Sequence, residues 1–279
     1  VEVALRRRPL ELIRPEGDDP LSFLSTVHQV GNDRLPLEVD DHDAFLAQEL
    51  PGVNLRQGTW EVVRTTSDEA VFRRVVDERN IEVIKTYRLA EVPTEEHDDR
   101  LYKAYHLVLD LEVRNLAEQP QRVAYQLDGP TGLPVEGWWY ANKIGRSWSG
   151  VGLRDVVVSF NGGTPNLIGA PTIAEGDAPA PWQDEPLRFI GVDAQYFSAI
   201  LSPKKKDPNA IWLASSQAIR VGPVDEDRLK LTDTSCRLVS QLTELPPGES
   251  LRHSYQVFAG PKRPALMAEY DLNGIIYYG

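Results

Sequence analysis

The amino-acid sequence predicts an all-β protein built as an antiparallel sandwich. Apolar and polar residues alternate with a period of two along much of the chain, which is typical of strands with one face in a core and one in water. About a dozen such runs follow one another, with turn-forming residues between them. Helical periodicity is scarce, so the alternating strand and helix order of a parallel sheet is not expected.

The clearest strands cover residues 81–89 and 105–113, where apolar side chains alternate with charged or hydroxyl-bearing ones. The run Asp-Glu-Arg-Asn at 77–80 predicts a hairpin turn between two strands. Further strands are predicted at 59–65, 71–76, 122–127, 155–160, 196–201, 236–242 and 251–258.

Two short helices are predicted among these strands. Residues 41–49 have acidic side chains in their first turn, which favour the start of a helix. Residues 264–270 begin at a proline, which suits a first helical turn, and their apolar side chains share a face. Residues 169–186 are rich in proline and acidic side chains with little apolar periodicity, which predicts a long, partly mobile loop.

Composition narrows the classes of protein to consider. The chain has 279 residues, a formal net charge of −12 and a 41% share of hydrophobic residues. This length suits a single large β domain, and we expect one domain over residues 1–279. The acidic balance opposes phosphate neutralisation, so no nucleic-acid partner is expected. A single cysteine, Cys236, allows no intrachain disulfide and no thiolate cluster, and neither a metal nor a cofactor is expected.

Motifs for catalysis are missing from the sequence. There is no nucleophile elbow, phosphate loop, dinucleotide-binding glycine pattern or His-Glu-x-x-His motif. Among the five histidines, His106 and His253 are the better candidates because both fall within predicted strands. A strand histidine on the polar face is more commonly solvated, so no catalytic residue is assigned. Scattered carboxylates and histidines still leave glycosidase or epimerase chemistry open.

The densest aromatic cluster contains Trp138, Trp139, Tyr140 and, a little further on, Trp148. Aromatic faces of this kind stack on sugars or receive apolar peptide segments, which makes these four residues the candidate binding site. The other interpretation is that the rings cap the end of the sandwich core, where large aromatics commonly pack.

A basic run, Lys204-Lys205-Lys206, follows one predicted strand closely. In an otherwise acidic chain it is interpreted as the solvated tip of a loop.

Three segments together resemble the large periplasmic domain of the YidC/Oxa1/Alb3 family of membrane-protein insertases. The first is Tyr-His-Leu-Val-Leu-Asp-Leu-Glu-Val-Arg-Asn at 105–115, followed by Glu-Gln-Pro at 118–120. The second is Phe-Ile-Gly-Val-Asp-Ala-Gln-Tyr-Phe-Ser-Ala at 189–199. The third is Phe-Ala-Gly-Pro-Lys at 258–262, which leads to Leu272 and then to Tyr-Tyr-Gly at 277–279.

This resemblance implies a twisted β-supersandwich of the galactose mutarotase-like type, with a short helical segment at residues 261–279. It also implies a missing transmembrane span after that segment, an expectation that agrees with the apolar run at 275–278. The implied location is the periplasmic side of the bacterial inner membrane. The implied partners are SecD and SecF, the accessory subunits of the Sec translocon, and nascent membrane proteins.

Two functions are therefore carried forward. The first is an interaction module or chaperone domain of an insertase, which serves protein transport and is not an enzyme by itself. The alternative is a carbohydrate-binding protein or a mutarotase-like enzyme, that is, an aldose epimerase. Fold alone does not decide between them, because one fold can carry many activities.

Overall fold

Two antiparallel β-sheets pack face to face in the computed structural model, which describes residues 12–14, 17, 20–37, 39–96, 99, 101–135 and 151–276. The strands are β1 (Ser25–Val30), β2 (Asp33–Arg34), β3 (Glu61–Thr65), β4 (Glu69–Val76), β5 (Ile81–Leu89), β6 (His106–Asn115), β7 (Gln121–Asp128), β8 (Asp155–Phe160), β9 (Asn166–Ile168), β10 (Trp182–Gln183), β11 (Leu187–Asp193), β12 (Phe197–Pro203), β13 (Leu213–Val221), β14 (Asp233–Ser240), β15 (Thr243–Leu245) and β16 (Ser250–Pro261).

The larger sheet has the strand order β3-β4-β5-β6-β16-β12-β11-β8-β9. The smaller sheet has the order β10-β13-β14-β7-β1-β2, and β15 pairs with β7. The predicted all-β antiparallel supersandwich is confirmed. No helix among the described residues is long and apolar enough to cross a membrane.

The core lies between the two sheets and is built from alternate residues of each strand. Leu109 and Leu111 of β6 and Tyr255 of β16 face it from the larger sheet, and Val27 and Leu127 face it from the smaller one. All five side chains are no more than 1% exposed. The period-two pattern read from the sequence is therefore the pattern of burial.

The predicted hairpin turn at residues 77–80 joins β4 to β5. A single 3₁₀ turn spans Asp77–Arg79, and Asn80 follows in the left-handed conformation with φ of 49°. Asparagine tolerates this region better than most residues do, since its short polar side chain can bond locally. The prediction of this turn is confirmed.

Three short helices accompany the sheets: α1 (His42–Ala47), α2 (Ala170–Ala174) and α3 (Pro264–Glu269). The Asp41 side chain caps α1 by accepting a hydrogen bond from the backbone N–H of Ala44 (2.7 Å). The predictions of α1 and α3 are confirmed, within a few residues at their ends. The predicted loop at 169–186 is wrong in part, because α2 and β10 both lie within it.

The outer face of the larger sheet, which points away from the smaller sheet, is divided into two halves. In the first, residues 264–276 lie over β8, β11, β12 and β16, and we call this the covered half. Its apolar cluster consists of Val157, Phe189, Ile200, Phe258, Leu266, Met267, Tyr270, Leu272 and Ile275. In the second, β5, β6 and the first residues of β16 carry mainly polar side chains, and we call this the open half.

Candidate functional site

A groove of about 800 Å³ lies on the open half of the larger sheet. Its floor is formed by polar side chains from three neighbouring strands: Thr86 of β5, Asp110 and Glu112 of β6, and Arg252 and Ser254 of β16. The segment between β12 and β13 supplies one wall, through Lys204, Lys206, Asp207 and Trp212.

Strand register brings the floor residues together. Asp110 lies opposite Thr86 on one side and opposite Ser254 on the other. Glu112 lies in the next row, opposite Arg252. Directly opposed side chains on one sheet face have Cβ atoms about 4.5–5.5 Å apart, so these residues form one continuous polar surface.

The wall of the groove begins where β12 ends. Pro203 is the last residue of β12 to pair with β16, and the chain then leaves the sheet. The backbone N–H of Lys204 donates to the carbonyl of Ser254 (2.8 Å), which ties the start of this loop to β16. At its other end, the carbonyl of Trp212 accepts a hydrogen bond from the N–H of Gln241 (2.9 Å).

Both carboxylates of the floor form salt bridges with arginines. Asp110 pairs with Arg88, and Glu112 accepts from Arg252 (3.0 Å) and from the hydroxyl of Ser250 (2.7 Å). A carboxylate offers about four lone-pair positions, so each of these groups keeps capacity for a further hydroxyl donor.

His253 lies at the edge of the groove, where its side chain points to the core face of β16, opposite Leu111, and is stacked against Trp212. The ring centroids are 4.2 Å apart and the planes differ by 2°. Nδ1 of His253 bonds with the Tyr125 hydroxyl (2.8 Å), which in turn bonds with the hydroxyl of Tyr255. Burial lowers the pKa of His253 to about 4, so the imidazole is neutral at pH 7. Within the described part of the chain, Nε2 has no hydrogen-bond partner.

His106, the other candidate histidine, does not line the groove. Its Nδ1 bonds with the hydroxyl of Tyr270 (2.9 Å), and the two rings meet edge to face at 5.5 Å. Burial lowers the pKa of His106, and the nearby Lys103 and Lys204 lower it further. Because Tyr270 belongs to the covered half, His106 attaches the C-terminal segment to the sheet.

The predicted binding residues Trp138, Trp139, Tyr140 and Trp148 lie outside the described residues. The structure instead brings Trp212 to a groove, a residue that the sequence did not single out. Asp110 and Glu112 were recognisable as the polar side of a strand, but their neighbours Arg252 and Ser254 are more than 130 residues away along the chain. The described part of the chain holds no group of three or more His, Cys, Asp or Glu residues placed to bind a metal.

A second cluster of charges lies under the α1 segment and has a different character. Arg237 and Arg56 bind the two oxygens of Asp128 at 2.7 Å and 2.6 Å, and all three side chains are at most 7% exposed. Burial alone would raise the pKa of Asp128, but the two guanidinium groups lower it below its usual value. Arg237 also donates to the carbonyl of Phe45 (2.8 Å), so this cluster fixes α1 to the smaller sheet.

Comparison with known proteins gives similarities of structure alone. No family model matches the chain, and no curated protein does. A candidate aldose 1-epimerase from Escherichia coli K12 is 12% identical, with a TM-score of 0.49 over 90% of this chain and 89% of that one. A galactose mutarotase-like protein from Lactobacillus casei is 11% identical, with a TM-score of 0.48 over 85% and 84% of the two chains. Another, from Clostridium acetobutylicum, is 8% identical, with a TM-score of 0.42 over 87% and 78%.

These findings correct the main functional prediction. The structures that the chain resembles are described as aldose 1-epimerase or mutarotase-like proteins, and none of these three is an insertase. The prediction of an insertase and protein-transport function is therefore wrong. The sequence resemblance itself, the SecD and SecF partners and the periplasmic location stay predictions. At such low identity the similarities describe the fold and transfer no activity.

Proposed function

We propose that this protein binds a carbohydrate in the groove on the open half. The observation that carries the proposal is the combination of groups in one concave site: an aromatic ring, Trp212, beside a floor of paired carboxylate, guanidinium and hydroxyl groups. A sugar needs both kinds of surface, since its C–H face packs on an apolar or aromatic group and its hydroxyls need hydrogen-bond donors and acceptors.

Carboxylates that are paired with arginines suit an uncharged sugar better than unpaired carboxylates would. Asp110 and Glu112 are held by Arg88 and Arg252, so they accept hydrogen bonds from hydroxyls without leaving a buried charge unbalanced. The groove of about 800 Å³ falls within the range of roughly 300–1,000 Å³ that is usual for small-ligand sites.

Calorimetric titration with a panel of hexoses tests the proposal. We expect saturable binding of at least one sugar, and about tenfold weaker binding for Trp212→Ala, because an aromatic stacking contact contributes about 1 kcal/mol beyond its buried area. Trp182→Ala is the matched control, since Trp182 is also partly buried but packs on Phe160 with the rings tilted by 57° and does not line the groove. Both variants must keep a cooperative thermal transition. Absence of binding across the panel, or equal losses in the two variants, would overturn the proposal.

A second candidate function, interconversion of sugar anomers, is favoured by His253. Mutarotation removes a proton from the anomeric hydroxyl, opens the bond between C1 and the ring oxygen, and delivers a proton to that oxygen before the ring closes on the other face. In the tautomer whose Nδ1–H donates to the Tyr125 hydroxyl, the neutral imidazole can take the first proton at Nε2. The Tyr125 hydroxyl, itself bonded to that of Tyr255, keeps the ring oriented.

Polarimetry distinguishes catalysis from binding. If His253 acts as the base, His253→Gln abolishes the acceleration over buffer but preserves sugar binding, and the activity of the unaltered protein declines only near pH 4, where the imidazole becomes charged. A rate no faster than buffer, in a protein that binds sugar, would leave binding as the function.

A further inference from the structure

We propose that the groove selects sugars that carry an acidic group, either a carboxylate or a phosphate. This inference rests on the proposed carbohydrate function and specifies its ligand class. It is carried by the charges of the groove, where two lysines form no salt bridge with any described residue.

Two of the three carboxylates of the groove form salt bridges. Asp110 pairs with Arg88, and Glu112 pairs with Arg252. Asp207 accepts from the backbone N–H of Asn209 (2.9 Å) and forms no salt bridge within the described part of the chain. Its single negative charge stands against the three lysine ammonium groups of the same loop.

Lys204 and Lys206 are the cations that remain. Both line the groove, and within the described residues neither ammonium has a carboxylate within 4.0 Å. Both side chains are exposed, as the predicted solvated loop requires, but the loop that carries them is tied to the sheet. The backbone of Lys204 is bonded to Ser254, and the residue between the two lysines is folded into the loop.

Lys205 makes the loop rigid from inside. Its ammonium donates to the carbonyls of Pro208 and Ala210, both at 2.8 Å, and so closes the turn on itself. The backbone that carries the outer two lysines is therefore held in place, and both residues line the groove. An anion bound between them would gain charge-assisted hydrogen bonds without first ordering the loop.

The net charge of the whole chain opposes the binding of acidic sugars, so a preference for them would have to come from the lysines in the groove. With a net charge of −12, the chain repels anions at long range. The ammonium groups act at contact distance, so the two lysines dominate for a ligand already seated in the groove.

Calorimetry with matched sugar pairs tests the inference: glucose against glucuronate and glucose 6-phosphate, and galactose against galacturonate. We expect the acidic member to bind about fivefold to tenfold more tightly, since a partly exposed ion pair contributes up to about 1 kcal/mol. We also expect the advantage to shrink at 1 M salt, where the Debye length is about 3 Å. Comparing the uronates with the phosphate shows which acidic group the site prefers.

The matched variants separate local contacts from overall charge. Lys204→Gln with Lys206→Gln should abolish the acidic preference, measured as the ratio of the affinities for the acidic and the neutral sugar. Arg64→Gln with Arg228→Gln removes two charges at sites that are each 61% exposed and do not line the groove, and should keep this ratio. If neutral and acidic sugars bind equally, or if the lysine variant keeps the preference, the inference is wrong while the carbohydrate function stands. If no sugar binds at all, both are wrong.

Discussion

The covered and open halves of the larger sheet share the strand β16, yet their outward-facing side chains differ in polarity and in what they contact. In the covered half, Phe258 of β16 packs under Tyr270 with ring centroids 4.7 Å apart. Four residues earlier on the same face of the same strand, Ser254 faces the groove. A single strand therefore contributes both to a packed layer and to a ligand surface.

This difference in polarity explains why one half of the sheet is covered and the other is left accessible as a groove. An apolar sheet face requires a cover, and residues 264–276 supply it over the strands that carry Phe189, Ile200 and Phe258. The open half needs no cover, because its side chains are polar and paired. Polar groups do occur in the covered half, but there they are buried in closed pairs, and Lys262 with Asp193 is the clearest case.

Replacement of Lys262 should give the largest loss of stability. Its ammonium lies 2.8 Å from Asp193, and both side chains are fully buried. Lys262→Met would break this buried ion pair and leave Asp193 without the ammonium, and the loss of one partner of a buried pair costs about 3–5 kcal/mol. Lys204→Met, in the open half, should cost little. Urea unfolding measures both, and a loss below about 1 kcal/mol for Lys262→Met would contradict this assignment.

The double replacement Lys262→Met with Asp193→Leu sharpens the same comparison. Removing both members of the pair leaves neither charge buried without the other, so part of the lost stability should return. A double variant as unstable as the single one would show that the lysine acts through packing.

Replacement of Leu266 should have the next largest effect. This α3 side chain is 0% exposed within the apolar cluster of the covered half. Leu266→Ala should reduce the free energy of unfolding by about 3 kcal/mol, through lost burial and a residual cavity. Ser254→Ala is the control from the open half and should change it by no more than about 0.5 kcal/mol. Equal losses from the two replacements would remove the distinction between the halves.

The sequence predicted the elements of this fold better than its site. Alternation identified β5 and β6 because one side of each strand faces water. It did not identify β11, whose residues are buried on both faces apart from Arg188, since such a run has no polar alternation to detect. The β13 strand (Leu213–Val221) was also missed, because its buried positions include serines that read as surface residues.

The groove could not be predicted from the sequence for a different reason. It depends on the register of β5, β6 and β16 and on the path of the chain after Pro203, and both are set by tertiary contacts. His106 and His253 looked equivalent as strand histidines. The structure separates them, because His106 faces the covering segment and His253 stacks on Trp212.

The smallest expected effect belongs to His253 and appears in acid. Burial lowers its pKa to about 4 from an ordinary value of 6.5, so as the pH falls the unfolded chain takes up this proton before the native protein does. Its contribution is thus neutral above about pH 6.5 and destabilises the native state progressively down to about pH 4. Between pH 7 and pH 5 the loss amounts to about 2 kcal/mol. In His253→Gln this part of the pH dependence disappears while that of His28, whose pKa burial also lowers to about 4, remains. Urea unfolding at the two pH values checks the prediction, and an equally steep loss in the variant would show that His253 is not protected from protonation.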